Sequence, residues 1–119
     1  MSKHSIVHIE FSTNDREATG KYYSDLFGWK VNQIPEMNYA TFSTDDGPGG
    51  GFNPVNDSNP AGTTMVYVST DDIDATLAKA ASLGGKILVR KTEIPKMGWF
   101  GVFQDPDGNS VALYTDMNP

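Results

Sequence analysis

A histidine and a glutamate, His8 and Glu10, stand two residues apart in the run Ser5-Ile6-Val7-His8-Ile9-Glu10-Phe11. Apolar residues alternate there with others, the period of a strand, so residues 5–11 are expected to extend with Val7, Ile9 and Phe11 on one face and Ile6, His8 and Glu10 on the other. Same-face neighbours two residues apart have Cα atoms about 6–7 Å from each other. At that spacing the imidazole is a candidate general base or ligand hydrogen-bond partner, and the carboxylate a candidate orienting group or proton acceptor. The alternatives are a satisfied polar histidine and a solvated carboxylate at a sheet rim. A displaced metal site using both needs a third ligand. His4 shares their parity but lies roughly 13 Å from His8 along extended chain, too far for one ion.

The rest of the composition narrows the chemistry. The chain has 119 residues, 38% of them hydrophobic, with six Phe, five Tyr and two Trp, enough for the core of a single domain over 1–119. Fifteen acids against nine bases give a net charge of −6, which disfavours nucleic acid as a partner. There is no cysteine, hence no disulfide, thiolate metal site or cysteine nucleophile. No stretch approaches the roughly 20 apolar residues of a membrane span, and Met1-Ser2-Lys3-His4 leads straight into the first strand. A soluble, unprocessed, cytoplasmic chain that does not engage membranes is expected.

The elements that must position His8 and Glu10 emerge when the chain is laid on itself with a shift of 57 residues. Ser12, Thr13, Asp15, Ala18, Thr19, Leu26 and Gly28 then fall on Ser69, Thr70, Asp72, Ala75, Thr76, Leu83 and Gly85. Seven matches in 17 positions, against about one by chance, predict two related modules, about 5–56 and 62–116. In the first, a helix over 14–27 is capped by Thr13 or Asn14, carries a stripe of Ala18, Tyr22 and Leu26 beside Tyr23 and Phe27, and stops at Gly28. In the second, a strand at 63–69 precedes a helix at 72–83, capped by Asp71, with Ile73, Leu77 and Ala80 on one face and a stop at Gly84-Gly85. Strands are expected at 29–34, 38–43 and 50–55, and again at 86–91, 98–104 and 110–115, with Asp105-Pro106-Asp107-Gly108-Asn109 as the last hairpin turn.

Each module is thus β-α-β-β-β, and the fold class is α+β, two modules related by an internal pseudo-twofold. Helices covering one face of each sheet leave the other exposed, and the eight strands are expected to curve into an open cup. Met65, Tyr67, Ala112 and Tyr114 share the predicted concave face with His8, and they make it apolar enough for an organic ligand. Tyr67 and Tyr114 carry hydroxyls for such a ligand or for protein partners. Trp99 with Phe103, or Phe100 with Val102, adds to the lining or to the core. Residues 91–98 read as a loop over the mouth, with Lys96 facing an anionic group or solvent. Gly47-Pro48-Gly49-Gly50-Gly51 lacks the Lys-Ser/Thr of a phosphate-binding loop and reads as a flexible connector.

Together the paired modules, His8-Ile9-Glu10-Phe11, the helix end Tyr22-Tyr23-Ser24-Asp25-Leu26-Phe27-Gly28-Trp29 and the closing Asp105-Pro106-Asp107-Gly108-Asn109 resemble the vicinal oxygen chelate superfamily. This superfamily includes glyoxalase I, extradiol dioxygenases and the fosfomycin- and bleomycin-resistance proteins. Gly47-Pro48-Gly49-Gly50-Gly51 and Met97-Gly98-Trp99-Phe100 are similar to small glyoxalase-like bacterial members. The resemblance implies one metal ligand opening each module and one on its last strand. Those positions fall on His8, Met65, Ala112 and, at or near it, Val55, so three of four lack a suitable donor and no metal and no cofactor is expected. Three functions follow as expectations: metal-independent binding of a small organic molecule, metal-free lyase, isomerase or hydrolase chemistry using His8 and Glu10, or an interaction module. A homodimer is expected, both from the resemblance and because a chain this short with an open sheet face gains by burying more apolar surface.

Overall fold

The computed structural model describes residues 4–57 and 59–117. Met1, Ser2 and Lys3, read above as a lead into the first strand, lie outside the described residues. The described residues contain β1 (Ile6–Thr13), α1 (Arg16–Phe27), β2 (Lys30–Ile34), β3 (Tyr39–Ser43), β4 (Gly49–Pro54), β5 (Thr64–Ser69), α2 (Ile73–Ser82), β6 (Lys86–Ile94), β7 (Gly98–Gln104) and β8 (Ser110–Asp116). The fold is α+β: the order β-α-β-β-β occurs twice, and the eight strands pair in both senses. The chain divides into two compact units, Val7–Met65 and Val66–Pro119, the latter joined by residues up to Ile6.

Within Val7–Met65 the strand order is β2-β3-β4-β1, antiparallel except for the parallel β4–β1 pair. The parallel pair needs a long connection, which α1, β2 and β3 supply. One sheet face meets α1 through Ala40, Phe42 and Phe52, all buried, with Phe11, Tyr23, Trp29 and Val31 packed on them. Their rings form a continuous stack, Tyr23 to Trp29 at 5.2 Å between centroids, Trp29 to Phe42 at 4.6 Å and Phe42 to Phe52 at 5.1 Å. The face of α1 that packs is not the expected stripe of Ala18, Tyr22 and Leu26. Gly20 and Tyr23 turn toward the sheet, whereas Tyr22, Leu26 and Phe27 are each more than half exposed and Ala18 is exposed. Close approach sets this rotation, because a Cβ on Gly20 would stand 2.9 Å from Val31 Cγ1.

In the second unit the order is β5-β8-β7-β6, with β5–β8 parallel and the rest antiparallel. Ile73, Leu77 and Leu113 form its core, joined by Val68, Ile87, Trp99 and Phe103. Asp105 turns the chain from β7 to β8 as expected. Its backbone N–H donates to Asn109 O at 2.8 Å, and its carboxylate accepts from the N–H groups of Asp107 and Asn109.

The repeat is reproduced bond for bond at the helix starts. The caps are Asp15 and Asp72, one residue beyond the expected Asn14 and Asp71, and they accept from Ala18 N at 3.1 Å and Ala75 N at 3.0 Å. Thr13 is no cap either. Thr13, the last residue of β1, and Thr70, the residue just after β5, accept the N–H of Asp15 and Asp72, and meet Thr19 and Thr76 at 2.6 and 2.8 Å. Gly28 ends α1 at φ 75°, as expected of a left-handed cap.

Two segments read as loops belong in part to strands. β6 runs to Ile94 and pairs with β7 through Thr92↔Phe100, Glu93↔Trp99 and Ile94↔Gly98, so residues 91–98 form a hairpin with Lys96 at its tip, φ 68°. Gly49, Gly50 and Gly51 begin β4, where they pair with His8, Ile9 and Glu10. A Cβ on Gly50 would collide with Ile9 O, which is why the sequence there is glycine and not because the segment flexes.

Candidate functional site

On the face of the Val7–Met65 sheet opposite α1, strand alternation brings together residues from three strands: His8 and Glu10 of β1, Tyr39 of β3, and Gly51 and Asn53 of β4. The β1–β4 register sets Glu10 beside Gly51 and Ser12 beside Asn53. Gly51 leaves a gap in the sheet surface, and the Tyr39 phenol lies in it. A Cβ at position 51 would collide with the Tyr39 hydroxyl.

The result is a hydrogen-bonded chain. Tyr39 Oη donates to Glu10 Oε2 at 2.8 Å, His8 Nε2 lies 2.8 Å from the same Oη, and Asn53 Nδ2 donates to Glu10 Oε1 at 3.3 Å. His8 Nε2 and Glu10 Oε2 are 3.5 Å apart. The Glu10 side chain is only 12% exposed, against 31% for His8, so the network presents mainly the imidazole to solvent. Glu10 is therefore not the rim carboxylate of the bland expectation. Such an arrangement can orient the imidazole, stabilise its protonated form, or pass a proton between ring and carboxylate.

Other expected site residues fall as follows. Met65 and Tyr67 alternate with Val68, which packs on the core, and so occupy the β5 face turned from α2; both are half-buried. Tyr67 pairs with Ala112, and Val102 with Ala112, placing Ala112 on that same face. Tyr114 shares it, but its hydroxyl is used at the rim, reaching Met97 O at 3.1 Å and Asp116 Oδ1 at 3.0 Å. Burial first and Asp116 second push the Tyr114 phenol above its ordinary pKa. Trp99 is a correction. It packs on the helix side with Ile73, Leu77 and Leu113, with Lys91 Nζ 5.1 Å from its ring centroid, and the β7 residues on the Tyr67 face are Phe100 and Val102. Two surface hollows, one at Phe27, Trp29 and Ser43 and one at Leu83, Phe103 and Pro106, include neither His8 nor Glu10.

Sequence reasoning missed Tyr39, Asn53 and Gly51. The usable signal was alternation in 39–43, which sets Tyr39 opposite in parity to Ala40 and Phe42, together with a glycine in a strand interior, a mark of close approach.

The matches to known proteins agree with this fold. The family model described as "Glyoxalase/Bleomycin resistance protein/Dioxygenase superfamily" matches residues 5–113. A "Glyoxylase-like domain-containing protein" of Didymella fabae is 32% identical over 92% of this chain and 92% of its own length. The "Anthracycline biosynthesis protein DnrV" of Streptomyces peucetius is 29% identical over 89% of this chain, which spans 45% of that protein. A solved structure of methylmalonyl-CoA epimerase in complex with methylmalonyl-CoA and NH4+ superimposes with a TM-score of 0.67 at 19% identity, covering 98% of this chain and 96% of that one. The chain belongs to the glyoxalase/bleomycin resistance protein/dioxygenase superfamily, and its two βαβββ modules are the glyoxalase-like fold.

The metal ion implied by that family finds a poor donor set here. The register makes Gly51, not Val55, the counterpart of Ala112, since Glu10↔Gly51 and Tyr67↔Ala112 are equivalent pairs in the two modules. The four family positions are then His8, Met65, Gly51 and Ala112, and one imidazole is the only hard-metal ligand among them. Among the described residues no three His, Asp or Glu side chains gather to hold an ion. Also among the described residues, no helix is long and apolar enough to cross a membrane.

Proposed function

We propose that this chain binds a small organic molecule without a metal ion, against the sheet face that carries His8. The observation supporting this most is the Tyr39–Gly51 contact. The space above the last strand of the first module, where the family resemblance implies a ligand side chain, is filled by a phenol that ties His8 to Glu10. In this reading His8 and Glu10 are the polar contacts within the Val7–Met65 unit, and Met65, Tyr67, Ala112 and Tyr114 stay candidates, each on its own unit, with Ala112 itself fully buried. Trp99 is left out because it packs on its own core. The anthracycline biosynthesis name of the Streptomyces relative makes a ring metabolite a reasonable first probe.

A second reading is acid–base catalysis without metal, favoured by a largely buried carboxylate linked through Tyr39 to an imidazole. In it, His8 exchanges a proton with the ligand and Glu10 compensates the charge. A homodimer in a reducing, cytoplasmic setting completes the proposal, supported by the exposed Tyr22, Leu26 and Phe27 and by the absence of cysteine.

Native mass spectrometry of protein purified from its own host, with calorimetric titration of Zn²⁺, Ni²⁺, Mn²⁺ and Fe²⁺, tests the binding reading. An organic adduct lost in His8→Ala is the expected result. One divalent ion per chain, bound tightly and lost in His8→Ala, overturns metal independence.

A further inference from the structure

We infer that the hollow at the end of α2 is a second ligand site, shaped for a flat aromatic acid about the size of an indole. It lies within the Val66–Pro119 unit and shares no residue with the His8 network, so it does not rest on the binding reading above.

The internal repeat shows what fits this space. In each module a glycine in the left-handed region follows the helix, Gly28 at φ 75° and Gly84 at φ 103°, and one residue then leads into the next strand. That residue is Trp29 before Lys30 in the first module and Gly85 before Lys86 in the second. The strand pairings continue the match, with Val31↔Phe42 equivalent to Ile87↔Phe103. The 57-residue shift sets Tyr23 on Ala80. In the first module the Trp29 indole stacks on Phe42 at 4.6 Å with the planes 11° apart, and on Tyr23 at 5.2 Å and 17°. The second module has glycine and alanine where those two rings stand.

The space left over is a hollow of about 300 Å³ whose walls include Lys79, Ala80, Leu83, Gly85, Phe103 and Pro106. Phe42 is only 5% exposed under its indole, whereas Phe103 is half-buried and, among the described residues, carries no stacked ring. The chain cannot fill the hollow from position 85, because a Cβ there would stand 2.7 Å from Gln104 O and 2.9 Å from Ala80 O. An apolar hollow with one open aromatic face selects a planar ring, which can stack on Phe103 as Trp29 stacks on Phe42. Charge narrows the class further. The Lys79 ammonium has no acid within ion-pairing distance among the described residues. Asp105, also at the rim, spends its carboxylate on the backbone N–H groups of Asp107 and Asn109 and on the Asn109 amide. Lys79 is thus the charge offered to a ligand, and a carboxylate on the ring is its match.

Titration of the full-length protein with indole-3-acetate, indole and cyclohexaneacetate, followed by ¹H–¹⁵N amide spectra, tests the site. Both indoles are expected to give saturable shifts at Ala80, Leu83, Gly85 and Phe103, with indole-3-acetate the tighter and the saturated acid the weakest of the three. Ala80→Tyr supplies the phenol that Tyr23 supplies in the first module and is expected to weaken both indoles by about tenfold or more. Lys79→Gln, at an exposed side chain, is expected to weaken indole-3-acetate roughly two- to fivefold and leave indole unchanged. If Ala80→Tyr does not fold, Lys79→Gln and the saturated acid decide. His8→Ala is expected to bind the indoles as the wild type does, which separates this site from the one proposed above. The inference is overturned by the lack of saturable shifts at those four amides, by undiminished binding in a folded Ala80→Tyr, or by equal weakening of both indoles in Lys79→Gln. Cyclohexaneacetate binding as tightly as indole-3-acetate, or loss of indole binding in His8→Ala, overturns it equally.

Discussion

Tyr39 reaches Glu10 only because position 51 carries no side chain, and that dependence can be measured. Gly51→Ala puts a methyl into space the phenol fills, and overpacking of this kind costs about 1–3 kcal/mol. Urea unfolding should record that loss in the wild-type background and a much smaller one in Tyr39→Ala, where the ring is gone. Equal costs in both backgrounds would mean that the Tyr39–Gly51 contact does not govern the site. His8 and Glu10 were legible from sequence because alternation within one strand needs no partner. Tyr39 and Asn53 were not, since they meet Glu10 across 29 and 43 residues and only the pairing register of three strands brings them there. The same register moved the counterpart of Ala112 from Val55 to Gly51, because β6 and β7 are longer than their counterparts β2 and β3.

The helix starts show how a repeat in sequence becomes a repeat in hydrogen bonds. Asp15→Ala and Asp72→Ala each remove one side-chain acceptor from an equivalent amide, and each should cost about 1 kcal/mol. Thermal unfolding checks both values, and a cost near zero at either site would deny its capping role. The sequence located these elements to within a few residues but misassigned their details for identifiable reasons. Thr13 and Thr70 have the residue type of a cap, yet their hydroxyls are engaged by Asp15 N and Asp72 N, which shifts the cap forward. Residues 91–98 read as a loop, whereas β6 continues to Ile94 and Pro95 sits just past its end, beyond the ladder. At the β7–β8 turn, hydrogen bonds from Asn109 above all hold the Asp105 carboxyl below its ordinary pKa of 3.8. A depressed folded value means that this turn adds stability above the ordinary aspartate range and loses it as pH falls through the folded value. Acid titration by NMR should show Asp105 protonating at lower pH in the wild type than in Asn109→Ala. An unchanged Asp105 midpoint would show that the Asn109 side chain does not hold the carboxylate.

Across the whole chain, two modules with one plan carry different chemistry. Where the first has His8, Glu10 and Gly51, the second has Met65, Tyr67 and Ala112, so the polar network belongs to one module and an apolar, tyrosine-bearing face to the other. The 57-residue repeat predicted that plan, because its matched residues recur at equivalent places in the two modules, whereas the expected stripe of α1, Ala18, Tyr22 and Leu26, is exposed. That exposure has a consequence for association. Tyr22, Leu26 and Phe27 are 60, 56 and 59% exposed, a cluster of large apolar side chains on one helix. Covering it favours pairing through the same burial that drives folding. Sedimentation should therefore give about twice the 12.9 kDa chain mass at micromolar concentration. A Leu26→Glu variant should shift toward the single-chain mass while keeping the wild-type circular dichroism spectrum. The thermal midpoint of the wild type should rise with protein concentration, as linkage between folding and pairing requires. A species of single-chain mass whose midpoint ignores concentration would mean that the outer face of α1 stays in water.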